Sequence, residues 1–325
     1  MYGFIFPGQG SQQVGMGQFL YKNFTSVKHL FEEASDTLNI DFKSLCFEDP
    51  KDQLNLTQNT QPALLLVSTA YFKVIQEIKP TNVSAFAGHS IGEYAACVNA
   101  NALSFSQALS TVEKRGLWMQ EAVPVGKGSM AALLGFSEEQ VSDICKWAQE
   151  KSGHQPVEPA NYNSPGQIVI SGDAMAIDFI CKNMSKEDWP YISSTEAPRR
   201  LKAIPLKVSA PFHCSLMQPA QEKMQKLLNN LEFQDTSTPI VQNVDGKAYT
   251  DKNKLKQNLT TQVSAPVRWT SCMDTFNEMG IENIIECGHG QVLQGLLKKM
   301  PHPFKVTNFN SLEDIKNFEK DNNCI

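Results

Sequence analysis

The chain of 325 residues is 41% hydrophobic and 19% charged, with a formal net charge of −5. That length allows one large or two medium domains with a substantial core, and the mildly acidic balance disfavours a nucleic-acid backbone as partner. The N-terminus lacks a basic stretch leading into a long apolar one, and no apolar run reaches transmembrane length, so neither a signal peptide nor a membrane span is expected.

Residues 2–6 read as a core strand that ends in the glycine-rich turn Pro7-Gly8-Gln9-Gly10-Ser11-Gln12. From Phe24 the apolar residues Val27, Phe31, Ala34 and Leu38 recur at helical spacing, which predicts an amphipathic helix. A second apolar helix is expected over 61–75, preceded by polar Thr57-Gln58-Asn59-Thr60. Val83-Ser84-Ala85-Phe86-Ala87 reads as a short buried strand and 91–100 as a helix without a breaker. Another helix opens at Ser104, which has capping-box spacing with Gln107. Strand, helix, helix, strand, helix predicts a layered α/β body with a mostly parallel sheet.

The rhythm changes over 127–206. Strands are expected at 129–134, 157–161, 167–171 and 203–208, with helices at 137–149 and 174–184. That order is β-α-β-β-α-β, the pattern of a small ferredoxin-like α+β unit. The expected organisation is therefore an α/β hydrolase-like large subdomain, 1–126 and 207–325, with a ferredoxin-like subdomain inserted at 127–206. The polar stretch 185–202, with Arg199 and Arg200, reads as an exposed loop. The large subdomain resumes with strands at 239–244 and 284–286 and helices near 218–231, 268–279, 291–300 and 311–319.

Gly88-His89-Ser90-Ile91-Gly92 lies between the predicted strand at 83–87 and the helix at 91–100. A Gly-x-Ser-x-Gly run between strand and helix lifts the serine into the open on a sharp bend, beside unpaired helix N–H groups. Ser90 is the candidate nucleophile, weighed against an ordinary strand–helix turn. A serine hydroxyl needs a base. Among six histidines, His213 in Pro211-Phe212-His213-Cys214 follows a predicted strand, where α/β sheets carry functional groups. The pattern alone leaves it open whether His213 is that base or a satisfied structural histidine. Arg115 shares an inward stripe with Ala108, Val112 and Met119. A guanidinium there needs an anion, either a structural Asp or Glu partner or a carboxylate brought by a substrate. The eight cysteines are scattered with no Cys-x-x-Cys pair, so reduced, mostly buried thiols of a cytoplasmic protein are expected, and no metal site.

At this point the chain resembles the malonyl-CoA:acyl carrier protein transacylases of bacterial type II fatty acid synthesis. The resemblance is carried by Phe6-Pro7-Gly8-Gln9-Gly10-Ser11-Gln12, Thr60-Gln61-Pro62-Ala63-Leu64, Gly88-His89-Ser90-Ile91-Gly92-Glu93-Tyr94 and Arg115-Gly116. It continues through Met119-Gln120-Glu121, Asn161-Tyr162-Asn163-Ser164-Pro165-Gly166-Gln167, Pro211-Phe212-His213-Cys214, Asn243-Val244-Asp245, Pro266-Val267-Arg268-Trp269 and Glu286-Cys287-Gly288. So many motifs in one order span nearly the whole chain.

The resemblance implies Ser90 as the nucleophile that takes malonyl from CoA as an ester, and His213 as its base. It implies the backbone N–H groups of Gln9 and Ile91 as an oxyanion hole, and Arg115 as the partner of the malonyl carboxylate. Met119, Gln61 and Phe212 would line the same pocket, and the main-chain carbonyl of Gln262 would orient the histidine. Asp245, the acidic alternative to that carbonyl, reads as a structural turn residue. No cofactor or metal is implied beyond the two substrates, malonyl-CoA and phosphopantetheinylated acyl carrier protein. Gly288-His289-Gly290-Gln291 departs from the Gly-Pro-Gly-Lys often found in the family, so a different late loop is expected, with His289 structural. An acyl hydrolase or editing thioesterase, a transacylase of a polyketide pathway, and a carrier-docking module without catalysis are the competing readings.

Overall fold

A computed structural model describes residues 1–183 and 201–320 of the chain. The predicted loop over 185–202, with Arg199 and Arg200, lies almost wholly outside the described residues. The chain opens with β1 (Tyr2–Phe6), α1 (Gln18–Asn23), α2 (Thr25–Leu38), α3 (Phe42–Phe47), α4 (Thr57–Ile78), β2 (Val83–Gly88), α5 (Gly92–Asn99) and α6 (Phe105–Glu121). A second group follows: β3 (Gly128–Leu134), α7 (Glu138–Ser152), β4 (Val157–Ser164), β5 (Gln167–Asp173), α8 (Ala174–Asn183) and β6 (Lys202–Pro205). The chain then continues through α9 (Gln218–Asn229), β7 (Ile240–Val241), β8 (Ala248–Tyr249), α10 (Lys252–Thr261), α11 (Trp269–Glu278), β9 (Asn283–Glu286), α12 (Val292–Leu297), β10 (Lys305–Thr307) and α13 (Leu312–Lys320).

Two sheets result. The larger has the order β10-β9-β1-β2-β7-β8 and is parallel except for the β7–β8 pair. The smaller is antiparallel, in the order β4-β5-β3-β6. Alternation along β1 divides the body into two cores. Phe4 and Phe6 pack with Phe86 and the apolar face of α4, whereas Ile5 packs with Ala85, Ala87, Val241, Trp269 and Phe276 on the opposite face. The smaller sheet divides in the same way. Leu133, Ile168 and Ile170 pack under α7 and α8, while Met130, Ala132 and Val169 face the main body and join its larger core.

Several boundaries differ from the sequence reading, each for a visible reason. Helix α4 begins at Thr57, because its polar first turn is buried and bonded: Asn59 Nδ2 donates to Gln53 O at 3.0 Å and Thr60 Oγ1 to Leu54 O at 2.6 Å. Strand β7 is only two residues long: the Gln242 main-chain N–H still donates to Lys247 O at 3.0 Å, but the Asn243 N–H turns to the buried carboxylate of Glu93, which also accepts from the Gln242 side chain. Strand β6 stops at Pro205: Leu206 N–H makes one last bond to Met130 O of β3 at 2.9 Å, and the chain then folds back with Val208 N–H on Leu206 O at 3.0 Å. Ser104 caps α6 by accepting from Gln107 N–H at 3.3 Å, but the return bond runs from the Ser104 hydroxyl to Gln107 Oε1, so the reciprocal box is incomplete. The complete capping box is at Ser137 and Gln140, where it opens α7. Helices α1, α3 and α10 and strands β8 and β10 carried no strong pattern. In α10 only Leu255 and Leu259 are buried apolar residues, behind an Asp251 cap.

The junction between β2 and α5 is built by contact. Strand β2 pairs Gly88 with Phe6 of β1, and a Cβ on Gly88 would stand 1.9 Å from the carbonyl carbon of Gly92. A Cβ on Gly92 would stand 2.2 Å from Phe6 O. Only hydrogen fits at either place, so the turn closes directly onto the end of the neighbouring strand. Gly92→Ala is therefore expected to cost ~3 kcal/mol or more by overpacking. Gly295→Ala, on the exposed side of α12 with nothing within 4 Å of the added methyl, is expected to gain ~0.5–1 kcal/mol. Urea unfolding of the two variants should show shifts of opposite sign.

Candidate active site

Ser90 occupies the turn between β2 and α5 with φ of 52°, in the left-handed region that a non-glycine residue adopts only when its surroundings impose it. They do so here through main-chain bonds: His89 N–H donates to Phe6 O and Ser90 N–H to Asn243 Oδ1, at 2.9 and 2.8 Å. The Ser90 Oγ lies 2.7 Å from His213 Nε2. His213 comes eight residues after the end of β6, itself at φ 61°, and so sits within a turn and not at a strand end as the sequence pattern suggested. Its Nδ1 is 2.9 Å from the main-chain carbonyl of Gln262, at the C-terminus of α10. A carbonyl only accepts, so the proton belongs on Nδ1, and Nε2 is free to accept from Ser90. Burial, reinforced by the positive charge of Arg115, lowers the His213 pKa to about 3, so the imidazole is neutral.

Arg115 is 1% exposed on the inner face of α6. Nη1 donates to Gln61 Oε1 at 2.9 Å, and Nη2 donates to Gln262 Oε1 at 2.8 Å and to Ser90 Oγ at 3.2 Å. The Tyr94 ring lies below it, 5.8 Å from the guanidinium carbon. Among the described residues no carboxylate comes within ion-pair distance of it, and its Nε–H has no acceptor. Of the two partners the sequence left open for this cation, the structural Asp or Glu is not found among the described residues. A buried guanidinium held only by neutral oxygens is a standing site for an anion.

The site opens into a cavity of about 780 Å³ lined by Gln9, Gln61, Ser90, Ile91, Arg115, Met119, Phe212 and His213, every one singled out from the sequence. Gln262 stands behind the wall and reaches Arg115, His213 and the Ser90 carbonyl. Gln9 comes from the turn after β1, brought in by Gly8, whose Cβ would lie 2.6 Å from His89 O. Ile91 is the residue just before α5, and the turn bonds there are donated by Gly92 and Glu93, not by Ile91. Met130 and Val169 of the smaller sheet close the far wall.

Other candidates lie elsewhere. Asp245 accepts from Tyr249 Oη at 2.6 Å and from Lys247 N–H at 3.2 Å within its own turn. His289 meets Gln13 Oε1 at 3.2 Å on the surface, and His302 meets Asp274 at 2.7 Å. Among the described residues no group of His, Cys, Asp and Glu could hold a metal, and no helix is long and apolar enough to cross a membrane.

Sequence reasoning missed the polar layer beneath the serine. Glu93 is fully buried, and burial pushes its pKa up to about 7 against the pull of its hydrogen bonds. It accepts from Gln242, Asn243 and Gln262. Asn163 bonds His89 Nε2 at 2.8 Å in the cavity wall. The signal for Glu93 was available: a lone carboxylate in a run otherwise made of Ile91, Gly92, Tyr94, Ala95, Ala96 and Cys97.

Residues 3–302 match the family described as acyl transferase domain. The malonyl CoA-acyl carrier protein transacylase of Bacillus subtilis is 41% identical over 315 residues, covering 96% of this chain and 94% of that protein. Its counterpart from Staphylococcus aureus is 39% identical over 316 residues, 97% of each. The solved transacylase of Coxiella burnetii superposes with a TM-score of 0.90 at 38% identity, covering 98% and 96% of the two chains. A malonyl-transacylase solved with its type II PKS acyl-carrier protein superposes equally well, at 0.90 and 37% identity, covering 99% of each. Sequence, fold and site geometry agree, and the chain belongs to the acyl transferase family, among the malonyl CoA-acyl carrier protein transacylases.

Proposed function

We propose that this protein moves a malonyl group from malonyl-CoA to the phosphopantetheine thiol of an acyl carrier protein through a seryl ester. The observation that carries this reading is the buried guanidinium of Arg115, without a carboxylate partner among the described residues, 3.2 Å from the Oγ of a serine engaged by a neutral histidine. The names of the relatives, and the carrier protein bound to one structural neighbour, support the same substrates.

In the first half-reaction Ser90 Oγ attacks the malonyl thioester while His213 Nε2 takes its proton. The N–H groups of Gln9 and Ile91 hold the oxyanion, each contributing ~3 kcal/mol of barrier lowering. The C–S bond breaks, and the CoA sulfur leaves with the proton returned by His213. The carrier thiol then gives its proton to His213 and attacks the ester, restoring Ser90. Arg115 clasps the malonyl carboxylate, with Gln61, Met119 and Phe212 shaping the pocket. The Gln262 carbonyl keeps the proton of His213 on Nδ1. A neutral carbonyl stabilises the imidazolium less than a carboxylate does, which exchange between thiols tolerates because a thiol leaves without strong acid assistance. We also read 127–206 as a ferredoxin-like subdomain inserted between 1–126 and 207–325 of a hydrolase-like body. The strand order and the α7 and α8 placement support this.

Incubation of the intact protein with malonyl-CoA should add one malonyl unit by mass spectrometry, and Ser90→Ala should add none. Fast release of free malonate without a carrier would favour the hydrolase instead. Arg115→Ala should lower kcat/KM for malonyl by ~30-fold to several thousand-fold, matching ~2–5 kcal/mol for an orphaned buried charge. Acetyl transfer should lose far less, and equal losses would contradict the assigned role. By NMR the His213 ring should stay neutral from pH 8 down to pH 5, and a midpoint near the ordinary 6.5 would contradict the buried neutral base. The unfolded imidazole binds a proton below 6.5 and the folded one only near 3, so this residue's contribution to stability falls as pH drops through that window.

A further inference from the structure

Three residues beyond Ser90, α5 carries a carboxylate for which the reaction above has no use. Three donors converge on Glu93: Gln242 Nε2 at 3.0 Å on Oε1, with the Asn243 main-chain N–H at 2.8 Å and Gln262 Nε2 at 3.1 Å on Oε2. Such a set fits an acceptor-only carboxylate.

The consequence appears at Gln262. Its Nε2 faces acceptors alone, namely Ser90 O at 3.0 Å, Glu93 Oε2 at 3.1 Å and Asn243 Oδ1 at 3.3 Å. Its Oε1 faces Arg115 Nη2 at 2.8 Å. Turned over, the amide would set its oxygen against a carboxylate and its NH2 against a guanidinium that has only donors. Glu93, the charged acceptor of the three, therefore acts with Ser90 O and Asn243 Oδ1 to hold the NH2 end of Gln262 and turn its oxygen toward Arg115. The same carboxylate grips the main chain of Asn243, whose side chain accepts from Ser90 N–H at 2.8 Å and donates to Gly88 O at 2.7 Å. One amide thus separates the buried cation from the buried anion. A direct bidentate ion pair would take two of the donors that an incoming carboxylate needs, whereas the interposed amide oxygen takes one and still offsets the charge at longer range.

We propose that Glu93 is a positioning residue: through the side-chain amide of Gln262 it holds Arg115 in the orientation that receives an acid-tailed acyl group, and so sets the preference for malonyl over acyl groups lacking a carboxylate. This rests on the reading of Arg115 as the carboxylate clasp. Glu93 is not among the cavity-lining residues, and its influence passes through Gln262.

The test is the ratio of kcat/KM for malonyl-CoA to that for acetyl-CoA in Glu93→Gln, Gln262→Met, their double variant and Arg115→Ala, with circular dichroism confirming folding. Gln262→Met removes the amide but keeps the main-chain carbonyl that His213 uses. Each single change at Glu93 or Gln262 should lower the ratio about tenfold, and the double should lower it no further than the larger single, because both act along one path. An unchanged ratio in folded Glu93→Gln, or losses that multiply in the double variant, overturns the proposal. Should Glu93→Gln fail to fold, an unchanged ratio in Gln262→Met overturns it alone. A collapsed ratio in Arg115→Ala with unchanged ratios elsewhere sinks only the role of Glu93, while an unchanged ratio in Arg115→Ala sinks the clasp itself.

Discussion

A guanidinium buried to 1% exposure, with amide and hydroxyl oxygens and, among the described residues, no carboxylate within ion-pair distance, is the constraint on which the rest of this site turns. Taking such a charge out of water costs several kcal/mol unless something compensates. The fold compensates only in part: through two glutamine oxygens, the Tyr94 ring and the carboxylate of Glu93 one amide away. What is left unmet is an acceptor for its Nε–H, on a side chain that lines the same cavity as Ser90. The same positive charge helps hold His213 neutral, which is the state a base must be in before it can take a proton. Anion recognition and base readiness are thus two results of one buried cation.

Placing that cation requires close helix packing. Gly116, the next residue on α6, lies against the Thr57 carbonyl of α4, where a Cβ would come within 2.6 Å. The approach brings Gln61 of α4 into reach of Arg115. The opposite wall comes from the sheet. The ends of β1 and β2 lie side by side, with Phe6 paired to Gly88, so the turn bearing Gln9 and the turn bearing Ser90 emerge together at the C-terminal edge. Gly8, Gly88 and Gly92 allow close contact between backbones, and the strain at Ser90 is held by its N–H donating to Asn243 Oδ1 and its carbonyl accepting from Gln262 Nε2.

The orienting partner of His213 is the main-chain carbonyl of Gln262, and the carboxylates of Asp245 and Glu93 are engaged elsewhere. Asp245 bonds within its own turn, and Glu93 faces the underside of the elbow. In the proposed exchange between thiols the leaving group needs little protonation, so an orienting carbonyl is sufficient and a second buried charge at the histidine is avoided. Glu93 instead lies beneath the serine, and it organises neutral amides where a carboxylate at the histidine would have organised the base.

What the chain determined by itself is local. The short apolar run Phe4-Ile5-Phe6 in β1, bounded by a glycine-rich turn, and the helical stripe Val27, Phe31, Ala34 fix their elements, because each signal lies within a few contiguous residues. The Ser90 elbow was legible for the same reason, since strand, glycines and helix are contiguous. Even the oddity of Arg115 was visible as a cation on an apolar stripe. Its partners were not, because the bonds that decide its role join residues 25, 54 and 147 positions apart, and no periodicity encodes a separation of that kind. Polar Thr57–Thr60, the two-residue β7 and the weakly patterned α10 were misread or missed for a related reason: burial and bonding supplied by distant segments outweighed local propensity. Only the packed structure could choose between a structural ion pair and an open anion site at Arg115, because that choice depends on which side chains the fold brings within about 4 Å of the guanidinium and which it keeps away.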